Sequence, residues 1–372
     1  MEQPLSSFSA CCLSSINFSQ FVLDPFTDKA QFDFESFGNV VDSSVIYLNE
    51  ILDEGIQYHP LEEQKESTRR FREIGLGSMG IADMFIKMGI KYGSQDSLLL
   101  LNSIMKYMIN AAAIRSALLA KEYGPAPAYD ERVLESEFAK KNFTEETKKL
   151  IKENGLRNTQ MLTVAPTGSI STMLGVSGGI EPLFQISFNR KTLSINDGQE
   201  TLYKVFSPVV RELMETLKID SEEDLPDYVV SSHQLNGRER IDLQAIVQKY
   251  TDAAISSTIN LPEEAAYYDI FDLIMYAHEK ELKGVTFYRD GCARAGILTV
   301  DKKEVKKEVK KDKPELLFLT DKIVTSFQKE IKKDKRNSNS SKNGVCPICG
   351  GTLIYTNGCS ECQDCGGSAC SL

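Results

Sequence analysis

Tryptophan is absent from these 372 residues, and histidine occurs only at His59, His233 and His278. Those three are scattered without metal-ligand spacing, which argues against a histidine-built metal centre. Long uncharged apolar runs are also missing: the most apolar stretch, 98–119, is interrupted by Lys106 and Arg115. No charged, apolar and small-residue succession opens the chain, so neither a signal peptide nor a membrane span is expected. The chain therefore reads as cytoplasmic, where thiols stay reduced and clustered cysteines point to metal or redox chemistry. Positive charge is in deficit as well. A net charge of -10 argues against a general nucleic-acid coat, whose affinity would need excess Lys and Arg.

What is present divides the chain. A hydrophobic fraction of 41% and a charged fraction of 26% suit a soluble protein with a sizeable core. Six of the nine cysteines lie between Cys346 and Cys370. Ahead of them run DKKEVKKEVKKDKPELLF, a short amphipathic stretch to Lys335 and then NSNSSKNG. That pattern reads as a charged linker, 301–344, between a main body, 1–300, and a Cys-rich tail, 345–372. In the body, helical periodicity covers 98–124, 207–217 and 241–259, while β-like runs occupy 13–18, 161–166 and 284–289. The alternation implies an α/β fold with buried, roughly parallel strands.

Three constellations carry chemistry. Gly75, Gly77 and Gly80 spell GxGxxG in REIGLGSMGIADMF, but the preceding residues are charged and helical in pattern, so a dinucleotide fingerprint is not expected. Their simpler role is close backbone packing. APTGSIS, 165–171, follows an apolar run and presents backbone N–H groups and hydroxyls at a helix start, which is either an anion site or an ordinary capped turn. Downstream, GVSGGIEPLF places Glu181 among apolar neighbours. The tail holds two CxxC pairs, a zinc-ribbon signal because a tetrahedral zinc takes four thiolates. Cys346, Cys349, Cys359 and Cys362 supply one such set, yet Cys362 and Cys365 make an equally good knuckle, so the division stays open. Cys365 and Cys370 are left as a candidate exchange dithiol. The adjacent Cys11 and Cys12 stand in an apolar, Ser-rich opening stretch, and the lone Cys292 reads as inert.

Several stretches, in order, resemble the large catalytic subunit of ribonucleotide reductases, most closely the adenosylcobalamin-dependent class. They are EQPL with ACCLSSIN, REIGLGSMGIADMF, RNTQMLTVAPTGSIS, SGGIEP, QKYTDAAISSTINLP, KGVTFYRDG and the tail. The resemblance implies the C-terminal half of a ten-stranded α/β barrel with a small zinc ribbon. It makes Glu2 the acid/base group that moves the 3'-hydroxyl proton and Cys11 one thiol of the reducing pair. Cys12 receives no role. Pro166, Thr167, Gly168, Ser169, Ile170 and Ser171 match the loop that holds the substrate phosphates, and Cys365 and Cys370 match the pair that re-reduces the active-site disulfide. Glu2 and Cys11 are thereby expected to line one cavity with the 167–171 turn.

The family's finger loop reads Asn-Pro-Cys-x-Glu, and its Asn and radical-forming Cys would precede Met1. The expectation is a broken or split gene, with an intein insertion point as one origin, whose product is inactive alone. Iron-dependent relatives relay a radical through two adjacent tyrosines where Phe287 and Tyr288 stand here. The implied cofactors are adenosylcobalamin and a structural zinc. The implied partners are a ribonucleoside di- or triphosphate, the N-terminal half and a thioredoxin-like reductant. The rival expectation is a zinc-ribbon protein that binds nucleic acid through the Lys-rich 302–336 stretch.

Overall fold

The computed structural model describes residues 7–193 and 200–291, together with the backbone of three short strands between 353 and 370; side chains are described for 7–188 and 204–291. The chain divides into two units, 1–300 and 301–372, each taken here by itself.

The first unit is organised around parallel neighbours. Strand Cys12–Asn17 lies beside strand Ile74–Met79, with Cys12 opposite Ile74 and Asn17 opposite Met79. Leu76 then bridges to Leu162, and Val164 to Ile255. The backbone bonds Leu76 N to Met161 O and Ser256 N to Val164 O, both 2.8 Å, extend those contacts. The last segment runs on into strand Thr258–Leu261, which is parallel to Thr286–Arg289. Neighbouring segments thus follow in chain order, and helices make the connections, as parallel pairing requires.

Two long helices cover one face. Phe34–Ile56 starts at Asp33, whose side chain accepts the Ser36 N–H, and buries Phe37, Val41, Val45, Leu48 and Leu52 at helical spacing. Gln95–Tyr123 is long and apolar enough to cross a membrane by composition. Its Leu101, Ile104, Met105 and Met108 are fully buried in the core of this unit, and Asn110 reaches Asn142 O at 3.0 Å and takes the Thr144 N–H at 2.8 Å. It is a core helix.

The reading of 241–259 as one helix is corrected. The helix Gly237–Tyr250 stops at its cap, Thr251. Asp252 then turns its carboxylate onto the N–H groups of Met161 and Leu162, at 2.8 and 2.7 Å, and the chain becomes an extended neighbour of 162–164. Tertiary pairing overrides local helical period there. Strand Ile74–Met79 escaped periodicity because two of its six residues are glycine. A Cβ on Gly77 would stand 2.4 Å from the Thr163 carbonyl oxygen, and one on Gly80, at φ +70°, 2.2 Å from the Asn17 side chain. Close backbone packing is what these glycines provide.

In the second unit, three antiparallel strands run in the order Ser368–Cys370, Cys359–Cys362, Leu353–Thr356, with Cys359 opposite Cys370.

Candidate active site

At the C-terminal end of the 160–164 segment the chain turns into the seven-residue helix Gly168–Leu174. Its cap is Thr167 at φ +53°, a left-handed conformation that costs a β-branched residue about 1–2 kcal/mol. The loop that follows the helix holds it there: Gly179 N donates to Thr167 Oγ1 at 2.9 Å. A Cβ on Gly178 would lie 2.9 Å from Pro166 O and 3.3 Å from Ser171 Oγ, so only glycine lets this loop close on the turn. The first-turn N–H groups of such a helix point past its end and have no partner within it.

A cavity of about 570 Å³ opens at this end, lined among others by Pro166, Gly168, Ser171, Asp83, Glu181 and Asn260. Asp83 is buried and accepts the Ser177 N–H at 2.8 Å; burial raises its carboxyl above the usual range. Glu181, expected among apolar neighbours, is instead half-exposed and ion-paired with the buried Arg240. Arg240 also donates to the Tyr92 hydroxyl at 2.5 Å, to Ser257 Oγ at 3.0 Å and to Thr258 O at 3.2 Å. Burial raises the Tyr92 hydroxyl, so it remains neutral.

Of the expected phosphate-loop residues, Pro166, Gly168 and Ser171 line the cavity, Thr167 is buried beneath it, and Ile170 is exposed beside it. Ser169 is also outside the lining. Cys11 is not on that wall. Gln160 Nε2 donates to its Sγ at 3.6 Å. A Cβ on Gly75 would lie 2.7 Å from the Cys11 sulfur and 2.5 Å from the Thr163 side chain, which places the thiol against the strand segment that leads into the 166–171 turn. The Cys11 thiol is pushed up to about 12, by burial first and then by Glu73, Cys12 and Asp252, against the Gln160 hydrogen bond. It is a protonated thiol at neutral pH. Cys12 is partly buried and packs against the core.

Glu2, Cys346, Cys349 and Cys365 lie outside the described residues, as do the side chains of Cys359, Cys362 and Cys370. Among the described residues no group of three or more His, Cys, Asp and Glu is placed to hold a metal. Sequence reasoning missed Asp83, Gln160, Arg240 and Asn260. Arg240 carried a signal, since it falls at a core-facing position of its helix.

Comparison with known proteins decides the family. Residues 1–288 match the family described as the ribonucleotide reductase barrel domain. The chain belongs to the ribonucleotide reductase large-subunit family. A vitamin B12-dependent ribonucleoside-diphosphate reductase of Thermoplasma acidophilum is 32% identical over 334 residues, covering 85% of this chain and 40% of that protein. One from Mycobacterium tuberculosis is 29% identical, covering 80% and 42%. The ribonucleoside-diphosphate reductase large subunit of Danio rerio is 33% identical over 196 residues, covering 50% and 24%. The α subunit of an Actinobacillus ureae class Id ribonucleotide reductase shares the fold, with a TM-score of 0.57 at 22% identity, over 76% of this chain and 50% of that one. The chain thus spans about 40% of the length of the B12-dependent relatives. The rival nucleic-acid reading gains nothing from these matches.

Proposed function

We propose that the chain is the C-terminal catalytic portion of a B12-dependent ribonucleotide reductase, forming about half of a ten-stranded barrel. The observation that carries this reading is the turn at Thr167: a strained cap held by Gly179, opening a helix into a nucleotide-sized cavity. Its main-chain N–H groups and the Ser171 hydroxyl would take the substrate phosphates, whether two or three. Cys11 supplies one thiol of a pair whose partner lies in the part of the relatives' length that these residues do not span. The pair gives up two electrons and two protons, becomes a disulfide, and the ribose 2'-hydroxyl leaves as water. A protonated Cys11 suits that donor role. Glu2 is assigned the 3'-hydroxyl proton on resemblance alone, as Cys365 and Cys370 are assigned re-reduction together with a thioredoxin-like protein, and four tail cysteines a zinc.

Cobalamin dependence is proposed from the relatives. The cavity described above is of nucleotide size. A cytoplasmic location accompanies the proposal. The test is direct: the purified chain should not reduce ribonucleotides with adenosylcobalamin and a dithiol, and adding the N-terminal half should start turnover. Turnover by the lone chain would refute the need for the remaining length of the relatives.

A further inference from the structure

On the extended stretch leading into strand Cys12–Asn17, Ser9, Cys11 and Leu13 alternate onto one face, and Glu73, Gly75 and Gly77 do so on the neighbouring strand. The two rows meet. A Cβ on Gly75 would lie 2.7 Å from Cys11 Sγ and 2.6 Å from Leu13 Cδ2, and Ser9 Oγ donates to Glu73 Oε2. Glu73 is buried, and Gln160 Nε2 approaches the sulfur from the third segment at 3.6 Å. Cys11 itself is only partly buried, so its sulfur is open to small reagents.

We propose that Glu73 delivers the proton that Cys11 needs when its disulfide is broken, with Gln160 orienting the sulfur. This deepens the reading of Cys11 as a reducing thiol and rests on it. When a thiolate of an external dithiol attacks the other sulfur of a Cys11 disulfide, the S–S bond breaks and its electron pair goes to Cys11 Sγ. A thiolate in this site is a poor leaving group, because leaving is slower the higher the thiol's pKa, and here that value stands at about 12. A proton passed from the Glu73 carboxyl as the bond breaks removes the handicap, and Ser9 holds that carboxyl in place. Burial raises Glu73 above the ordinary carboxyl range, which keeps it protonated further up the pH scale. The other groups facing the sulfur are Cys12 and Asp252, and Asp252 itself faces Lys283.

The test uses the full chain blocked with methyl methanethiosulfonate, so that dithiothreitol attacks the small methylthio sulfur and Cys11 leaves. Release is followed on the Cys11 peptide by mass spectrometry from pH 5 to 9, with rates normalised to dithiothreitol thiolate. In the wild type the normalised rate should fall as pH rises through the Glu73 titration. Glu73→Gln should lose that fall and be slower by about 100-fold on the acidic limb, the usual size of a general-acid contribution, and Glu73→Asp should recover part of it. Electrostatics alone gives the opposite sign, since removing a negative neighbour makes Cys11 a better leaving group. Equal or faster release from Glu73→Gln overturns the proposal. If that variant does not fold, a flat wild-type profile overturns it equally. Cys11→Ser in the reconstituted reductase separates the two claims, because retained turnover would sink the role of Cys11 without touching the release data.

Discussion

Arg240 pairs with Glu181 beneath the cavity, and the other oxygen of the same carboxylate accepts the Thr258 N–H at 2.8 Å. One helix, the glycine-rich loop and the strand Thr258–Leu261 are thereby tied together at the site. Arg240→Met takes the arginine partner from Glu181 and leaves the buried acceptors of Arg240 unpaired, and should cost about 1–3 kcal/mol in urea unfolding because the carboxylate is partly solvated. Glu181→Gln added to that variant should return part of the loss. Additive losses would mean that the pair is not a unit.

The glycines separate into two kinds. Gly77→Ala forces a methyl onto the Thr163 carbonyl and should destabilise by about 1–3 kcal/mol. Gly168→Ala meets nothing within 4 Å and sits at the first position of a helix, so it should be neutral or stabilising by up to about 1 kcal/mol. Thermal unfolding of the two variants checks the contrast.

Three acids, Glu73, Asp83 and Asp252, are raised by burial. An acid raised in the folded state gives stability that is complete below its unfolded value and is lost as pH rises through the folded one. For Asp252 that loss begins near 3.8. Unfolding free energies at pH 4 and pH 7 should therefore differ less in Asp252→Asn than in the wild type. An unchanged difference would show that Asp252 does not titrate with folding.

Cys11 should alkylate slowly with iodoacetamide at pH 8 and speed up about tenfold per pH unit toward its value of about 12. Gln160→Leu removes the one interaction that favours the thiolate and should slow the reaction further at any pH below that value. Fast labelling at pH 8 would contradict the partly buried, protonated thiol.

The sequence made the α/β alternation and the helices at 98–124 and 207–217 legible, because each buries one stripe against a shared core. Ile74–Met79 was hidden: its glycines are chosen by the neighbouring backbone, a long-range cause that leaves no period. The same holds for 253–261, where Asp252 fixes a strand in a stretch that reads locally as helix. At the site, the 166–171 turn was visible from its own residues, whereas Asp83, Gln160 and Arg240 act only through partners far along the chain.

The central claim is that this chain contributes the nucleotide cradle and one reducing thiol to ribonucleotide reduction. The most direct measurement is deoxyribonucleotide formation when the purified chain is mixed with a separately expressed N-terminal half, adenosylcobalamin and dithiothreitol. The account predicts turnover in the mixture, none from either half, and none when Cys11→Ser replaces the wild-type chain. Turnover from the chain alone, or undiminished turnover with Cys11→Ser, would contradict it.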